Sequence, residues 1–157
     1  MIAPLTAAVL AASMTIAPAP ASAKAPKPCK DKIVNVIKAA GWKGKQARVA
    51  YGVSWRESNH QPGESTYPDL GLFQINAPSW QGTRFWPSDP LNALSNAKAA
   101  HRLWKYASWR PWGLNHDGTG VDMRDYNWSD WQVQNWVWQP YTVGLARFDA
   151  LPKACRS

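Results

Sequence analysis

Glutamate is nearly missing from this chain: among 157 residues only Glu57 and Glu64 carry it, and every other acidic side chain is aspartate. Cysteine is as scarce, with Cys29 and Cys155 alone, so the chain is not a disulfide-dense scaffold. Those two cysteines and three scattered histidines form no ligand cluster, so no metal site is expected and no cofactor is implied. There is no internal repeat, and residues 24–157 hold no low-complexity tract. Outside the first residues no apolar run approaches the ~18–20 residues that cross a bilayer, so no stable membrane insertion is expected.

What the chain has in excess is positive charge and tryptophan. Eighteen Lys and Arg stand against ten Asp and Glu, a net charge of +8, and there are eleven Trp. The run "LTAAVLAASMTIA" followed by "ASA" at 21–23 reads as a secretory signal peptide, although no Lys or Arg precedes the run. The other reading is a membrane anchor, for which the run is short. Cleavage after Ala23 leaves 24–157, one domain of ordinary size, exported and expected to be a monomer. A basic exported protein suits an anionic partner: wall polymer, acidic lipid or nucleic acid. No nucleic-acid motif is present, and export argues against that class. In an oxidising compartment Cys29 and Cys155 read as one bond tying the two ends, worth about 4–5 kcal/mol in the chain-entropy model. Two unpaired thiols are the alternative.

The pattern predicts helices over residues 31–40, with Ile33, Val36, Ile37 and Ala40 on one face, and over 45–58. Residues 59–66 read as a loop or hairpin, and "LGLFQIN" as a strand. A third helix is expected from Asp89-Pro90 to about Tyr106, capped by Ser88 or Asp89. Residues 113–120 read as loop. The stretch "DYNWSDWQVQNWVWQPY" has no clean period, and "TVGLARFDAL" predicts a last helical turn or two. The sum is an α+β class, mainly helical, with a small β element after the second helix.

Stepping back from Glu57 by three and four residues reaches Ser54, Val53, Ala50 and Val49, so Glu57 lies on the inward face of its helix, in the last turn. Burial and the helix dipole there both disfavour a charged carboxylate, which suits a proton donor. A surface glutamate at a frayed helix end is the competing reading. Glu64, in "QPGEST", reads as a solvated turn residue. Asp69 directly precedes "LGLFQIN", where a returning hairpin would set it beside the helix end. Two carboxylates on one cleft is the pattern for cleaving a glycosidic bond. A plain turn residue after Pro68 is the alternative for Asp69. Strand alternation puts Leu72, Gln74 and Asn76 on one face and Gly71, Phe73 and Ile75 on the other. Gln74 and Asn76, with Trp80 close behind, offer the amides and aromatic face that a neutral sugar needs.

"ESN" followed by "GLFQIN" resembles the lysozyme-like superfamily: soluble lytic transglycosylases and secreted bacterial or phage muramidases. The resemblance implies a lysozyme-like fold with Glu57 as the catalytic acid. "DLGLFQINAPSW" is also similar to the strand segment of animal lysozymes. That match implies Asp69 as the second carboxylate, Gln74 and Asn76 as cleft amides, and Trp80 as a sugar-stacking ring. "NAKAAHRLWKYASWRPW" is similar to the helix and following Trp that back the acid, which implies Trp109 or Trp112 as an apolar wall. The likeness covers residues 30–112 and leaves 113–157 without a counterpart. It departs from the animal pattern in the short loop between Glu57 and Asp69 and in lacking the other cysteines. The activity implied is cleavage of the β-1,4 bond between N-acetylmuramic acid and N-acetylglucosamine in peptidoglycan glycan strands, by hydrolysis or lytic transglycosylation. A non-catalytic peptidoglycan- or chitin-binding protein on the same fold is the alternative.

Overall fold

The computed structural model describes residues 28–124 and 127–157. The expected signal peptide, residues 1–23, lies outside them. The protein is α+β and mainly helical, with one small antiparallel sheet. Helix α1, Lys32–Ala39, starts where the Asp31 carboxylate accepts a hydrogen bond from Val34 N at 2.9 Å. Val34 and Ile37 are fully buried, while Ile33 and Val36 flank them half-buried. At the stop, Gly41 has φ 112°, and a Cβ there would lie 2.7 Å from the His101 ring.

Helix α2, Gly44–Ser58, is the central element. Its buried residues Ala47, Val49, Ala50, Tyr51, Val53 and Ser54 cover more than one face, so neighbours enclose it. Asn59 and His60, at φ 52° and 63°, turn the chain out of the helix. Strands β1 (Ser65–Thr66), β2 (Asp69–Leu70) and β3 (Ile75–Asn76) then pair in the order β1-β2-β3. Helix α3, Ala77–Trp80, follows at once, capped by Asn76.

The third expected helix begins later than its Asp-Pro signal. Helix α4 is Ala93–Ala107, and its cap is Asn92, whose Oδ1 accepts from Leu94 N and Ser95 N. Asp89 instead closes the preceding turn, accepting from the amides of Leu91 and Asn92. Ala97, Ala99 and Ala100 give α4 a small-residue face toward the core. Beside it, Trp42, Phe73, Trp109 and Trp112 form an aromatic core with ring centroids 5.0–6.1 Å apart.

After the short 3-10 turn Arg110–Trp112, the chain enters one long helical passage: α5 (Asp130–Gln132), a π-helical segment (Val133–Trp138) and α6 (Gln139–Asp149). Helix α6 lies against α2 at a crossing of two glycines, where a Cβ on Gly144 would sit 2.8 Å from Gly52 Cα. Arg48 and Asp149 pair across the same two helices at 2.6 Å. Helix α7, Lys153–Arg156, brings Cys155 to Cys29, and the expected disulfide is formed, closing 126 residues.

Candidate active site

One groove, about 480 Å³ in volume, is lined by Glu57, Asp69, Gln74, Asn76, Trp80 and Trp112. Met123, Trp128 and Val137, from well beyond the hairpin in sequence, also belong to its lining. Its size falls in the roughly 300–1,000 Å³ range of small-molecule sites.

Glu57 stands in the last turn of α2 with a side chain 19% exposed. Its neighbour Arg56 donates to Oε1 from Nε at 2.9 Å and again from Nη2. Oε2 carries no hydrogen bond among the described residues. The inward setting read from the helical period therefore holds, but the environment is not purely apolar: a guanidinium with only 8% of its side chain exposed holds one oxygen. Arg56 is the functional neighbour that periodicity alone passes over, because adjacent helix positions do not ordinarily face each other. Its Nη1 is buried and has no hydrogen-bond partner among the described residues.

Ser58, the next residue, ties this helix end to the hairpin, with Oγ donating to Leu72 O at 2.9 Å. Residues 71–74 form a turn between β2 and β3, not the strand that "LGLFQIN" suggests. Leu72 and Phe73 are both fully buried, so the expected alternation of faces fails there. Side chains from the helices satisfy the turn's backbone. Asn96 accepts from Phe73 N at 2.9 Å and donates to Leu70 O at 2.9 Å, while Trp112 Nε1 donates to Phe73 O at 2.9 Å. Gly71 is required here: at φ 79° a Cβ would lie 2.0 Å from Pro90 O.

The turn delivers Asp69 to the groove on β2, directly opposite Asn76 on β3. Asn76 Nδ2 donates to Asp69 Oδ1 at 2.9 Å, and Asn76 Oδ1 accepts from Ser79 N and Oγ. Gln74 spends its amide protons on Gly71 O at 2.8 Å and more weakly on Glu64 O. Both amides line the groove: Asn76 gives one N–H to Asp69 and so orients it, while Gln74 turns its amide nitrogen to backbone carbonyls.

Trp80, half-buried and edge-on to Phe85 at 5.5 Å, forms one wall. Trp112 forms the floor. Trp109 does not line the groove: it is 1% exposed and packs between Trp42, Trp104 and Trp112 in the core. Trp112, whose indole donates to Phe73 O, is the one of the two that reaches the site. Glu64 accepts from Thr66 Oγ1 at 2.8 Å and lies outside the groove lining, in keeping with a turn residue.

No protein-family model matches the chain, and no curated protein and no solved structure matches it.

Proposed function

We propose that this chain is an exported glycosidase that cleaves the β-1,4 bond between N-acetylmuramic acid and N-acetylglucosamine in peptidoglycan. The observation that carries the reading is the convergence of Glu57 and Asp69, from a helix end and a hairpin, on one groove walled by Trp80 and Trp112. The resemblance of "ESN" and "GLFQIN" to lysozyme-like enzymes adds the substrate class.

On this reading Glu57 Oε2 donates a proton to the glycosidic oxygen as the bond to the anomeric carbon breaks. Asp69, held by Asn76, stabilises the positive charge that develops on that carbon. Water then completes hydrolysis, or the sugar's own 6-hydroxyl attacks and returns its proton to Glu57, giving a 1,6-anhydro end. Arg56 holds Oε1 of Glu57 and leaves Oε2 to face the sugar. That same contact favours the second reading, a non-catalytic glycan binder, in which the pair is a fixed structural element.

Digestion of purified peptidoglycan, with mass spectrometry of the new sugar ends, tests the reading. The expected result is soluble fragments with reducing ends. Asp69→Asn should cost on the order of a hundredfold in rate, as for removal of one preorganised electrostatic group. Anhydro ends with Asp69→Asn nearly as active move the chemistry to transglycosylation. Binding with no fragments leaves the non-catalytic reading.

A further inference from the structure

The groove does not end at its rim. Trp128 and Val137 belong to its lining, and both come from the Trp-rich stretch around the π-helical segment. In a π-helix the ladder runs from i to i+5. Trp131 and Trp136, five residues apart, bring their ring centroids within 5.9 Å, and Trp136 lies 5.9 Å from Trp128 on its other side. Both contacts are edge-on, so the three rings form one contiguous aromatic cluster, centred on Trp136, that reaches the groove through Trp128. They are 41%, 63% and 54% exposed in chain order, a large apolar expenditure for a surface.

The composition of the segment that carries these rings narrows its partner. Between Asn127 and Ala146 the only charged side chain is Asp130, on a chain of net charge +8. A surface selected for phosphate or anionic lipid would carry Lys or Arg here. Instead, Gln132, Gln134 and Asn135 stand between the tryptophans. Aromatic rings interleaved with amides fit a neutral, hydroxyl- and acetamide-bearing chain.

We infer that Trp128, Trp131 and Trp136 continue the groove outward as a platform for further sugar units of the same glycan strand. The inference rests on the reading of the groove as a sugar-binding cleft, and it assigns the Trp-rich segment to affinity for long chains. The protein grips a strand along several units while one bond lies at Glu57.

The test compares binding of an N-acetylglucosamine β-1,4 disaccharide and hexasaccharide to the full chain, by calorimetry, in a Glu57→Gln background that prevents turnover. Trp131→Ala and Trp136→Ala, made singly at exposed positions, should each weaken hexasaccharide binding roughly five- to thirtyfold, the cost of a contributing interface residue up to the hot-spot threshold. Disaccharide binding should change less than about twofold. Hexasaccharide affinity unchanged by both substitutions, or equal loss at both lengths, overturns the inference. So does unchanged hexasaccharide binding alongside lost binding to phosphatidylglycerol vesicles, which makes the cluster a membrane contact. Failure is distinguishable from failure of the catalytic reading. Should the wild-type chain release no wall fragments while the length-dependent loss appears, the platform stands and the chemistry falls. Wall digestion with no length-dependent loss gives the reverse.

Discussion

Glu57 was legible as a residue because a helix reports its own faces: positions three and four back are apolar or small, and the side chain is indeed turned inward. Its hydrogen-bond partner was not legible, because Arg56 reaches Oε1 by folding its long side chain back rather than by helical spacing. Gln74 and Asn76 show the opposite failure. Their position in the groove followed from the motif, but an amide has both donors and an acceptor, and only coordinates reveal which donors are already used. His60 supplies a prediction at this scale. It sits between Tyr51 and Trp55, with ring centroids 4.2 and 5.2 Å away, and burial pushes its imidazole below the ordinary value. The folded state thus favours the neutral ring, and the unfolded chain takes up the proton first as pH falls. Stability from this source is complete above about pH 6.5 and is lost as pH drops from there through the lower folded value. His101, also lowered by burial, acts with the same sign. Melting temperature should therefore be flat above about pH 7 and decline below 6.5. His60→Asn, which tolerates the left-handed backbone at φ 63°, should make that decline shallower. An unchanged slope in the variant would remove His60 from the account.

At the scale of elements, sequence pattern found the first two helices within a residue or so, because capping, apolar period and stop residues agree there. It misplaced the start of α4 because Asp89-Pro90 is itself a capped turn, one that precedes the true cap at Asn92. The tryptophan-rich stretch defied any period for a physical reason: a π-helical segment follows neither the 3.6-residue nor the two-residue rule. "LGLFQIN" reads as a strand by composition, but its turn is held by side chains of Ser58, Asn96 and Trp112 that lie far away in sequence. The crossing of α2 and α6 sets where Glu57 stands. Alanine normally strengthens a helix interior over glycine by ~1 kcal/mol. At Gly144 a Cβ would lie 2.8 Å from Gly52 Cα and 2.9 Å from Gly52 O, so backbone would have to move. Gly144→Ala should therefore destabilise by about 1–3 kcal/mol in thermal or urea unfolding. Gly63→Ala, with open space around the new methyl, should be close to neutral. A Gly144→Ala protein more stable than its parent would contradict the close approach.

The whole molecule is where sequence reading had least purchase. The disulfide was foreseeable from two cysteines near the ends of a chain read as exported, and it closes the fold around α1 and α7. One wall of the groove, from α2 and the hairpin, was foreseeable; the other was not, since it forms only when the turn after α4 and the π-helical segment join them. The same assembly decides that Trp112 faces the site while Trp109 fills the core. Catalysis, on this account, is a property of that assembly acting through one carboxyl. The direct measurement is release of soluble fragments from purified peptidoglycan by the wild-type chain, Glu57→Gln and Glu64→Gln, each verified as folded by circular dichroism. Glutamine keeps the shape and can still accept from Arg56, but it delivers no proton. The account predicts that Glu57→Gln binds the wall and loses at least ~10²–10⁴-fold in rate, while Glu64→Gln matches the wild type. Digestion by Glu57→Gln at the wild-type rate would contradict it.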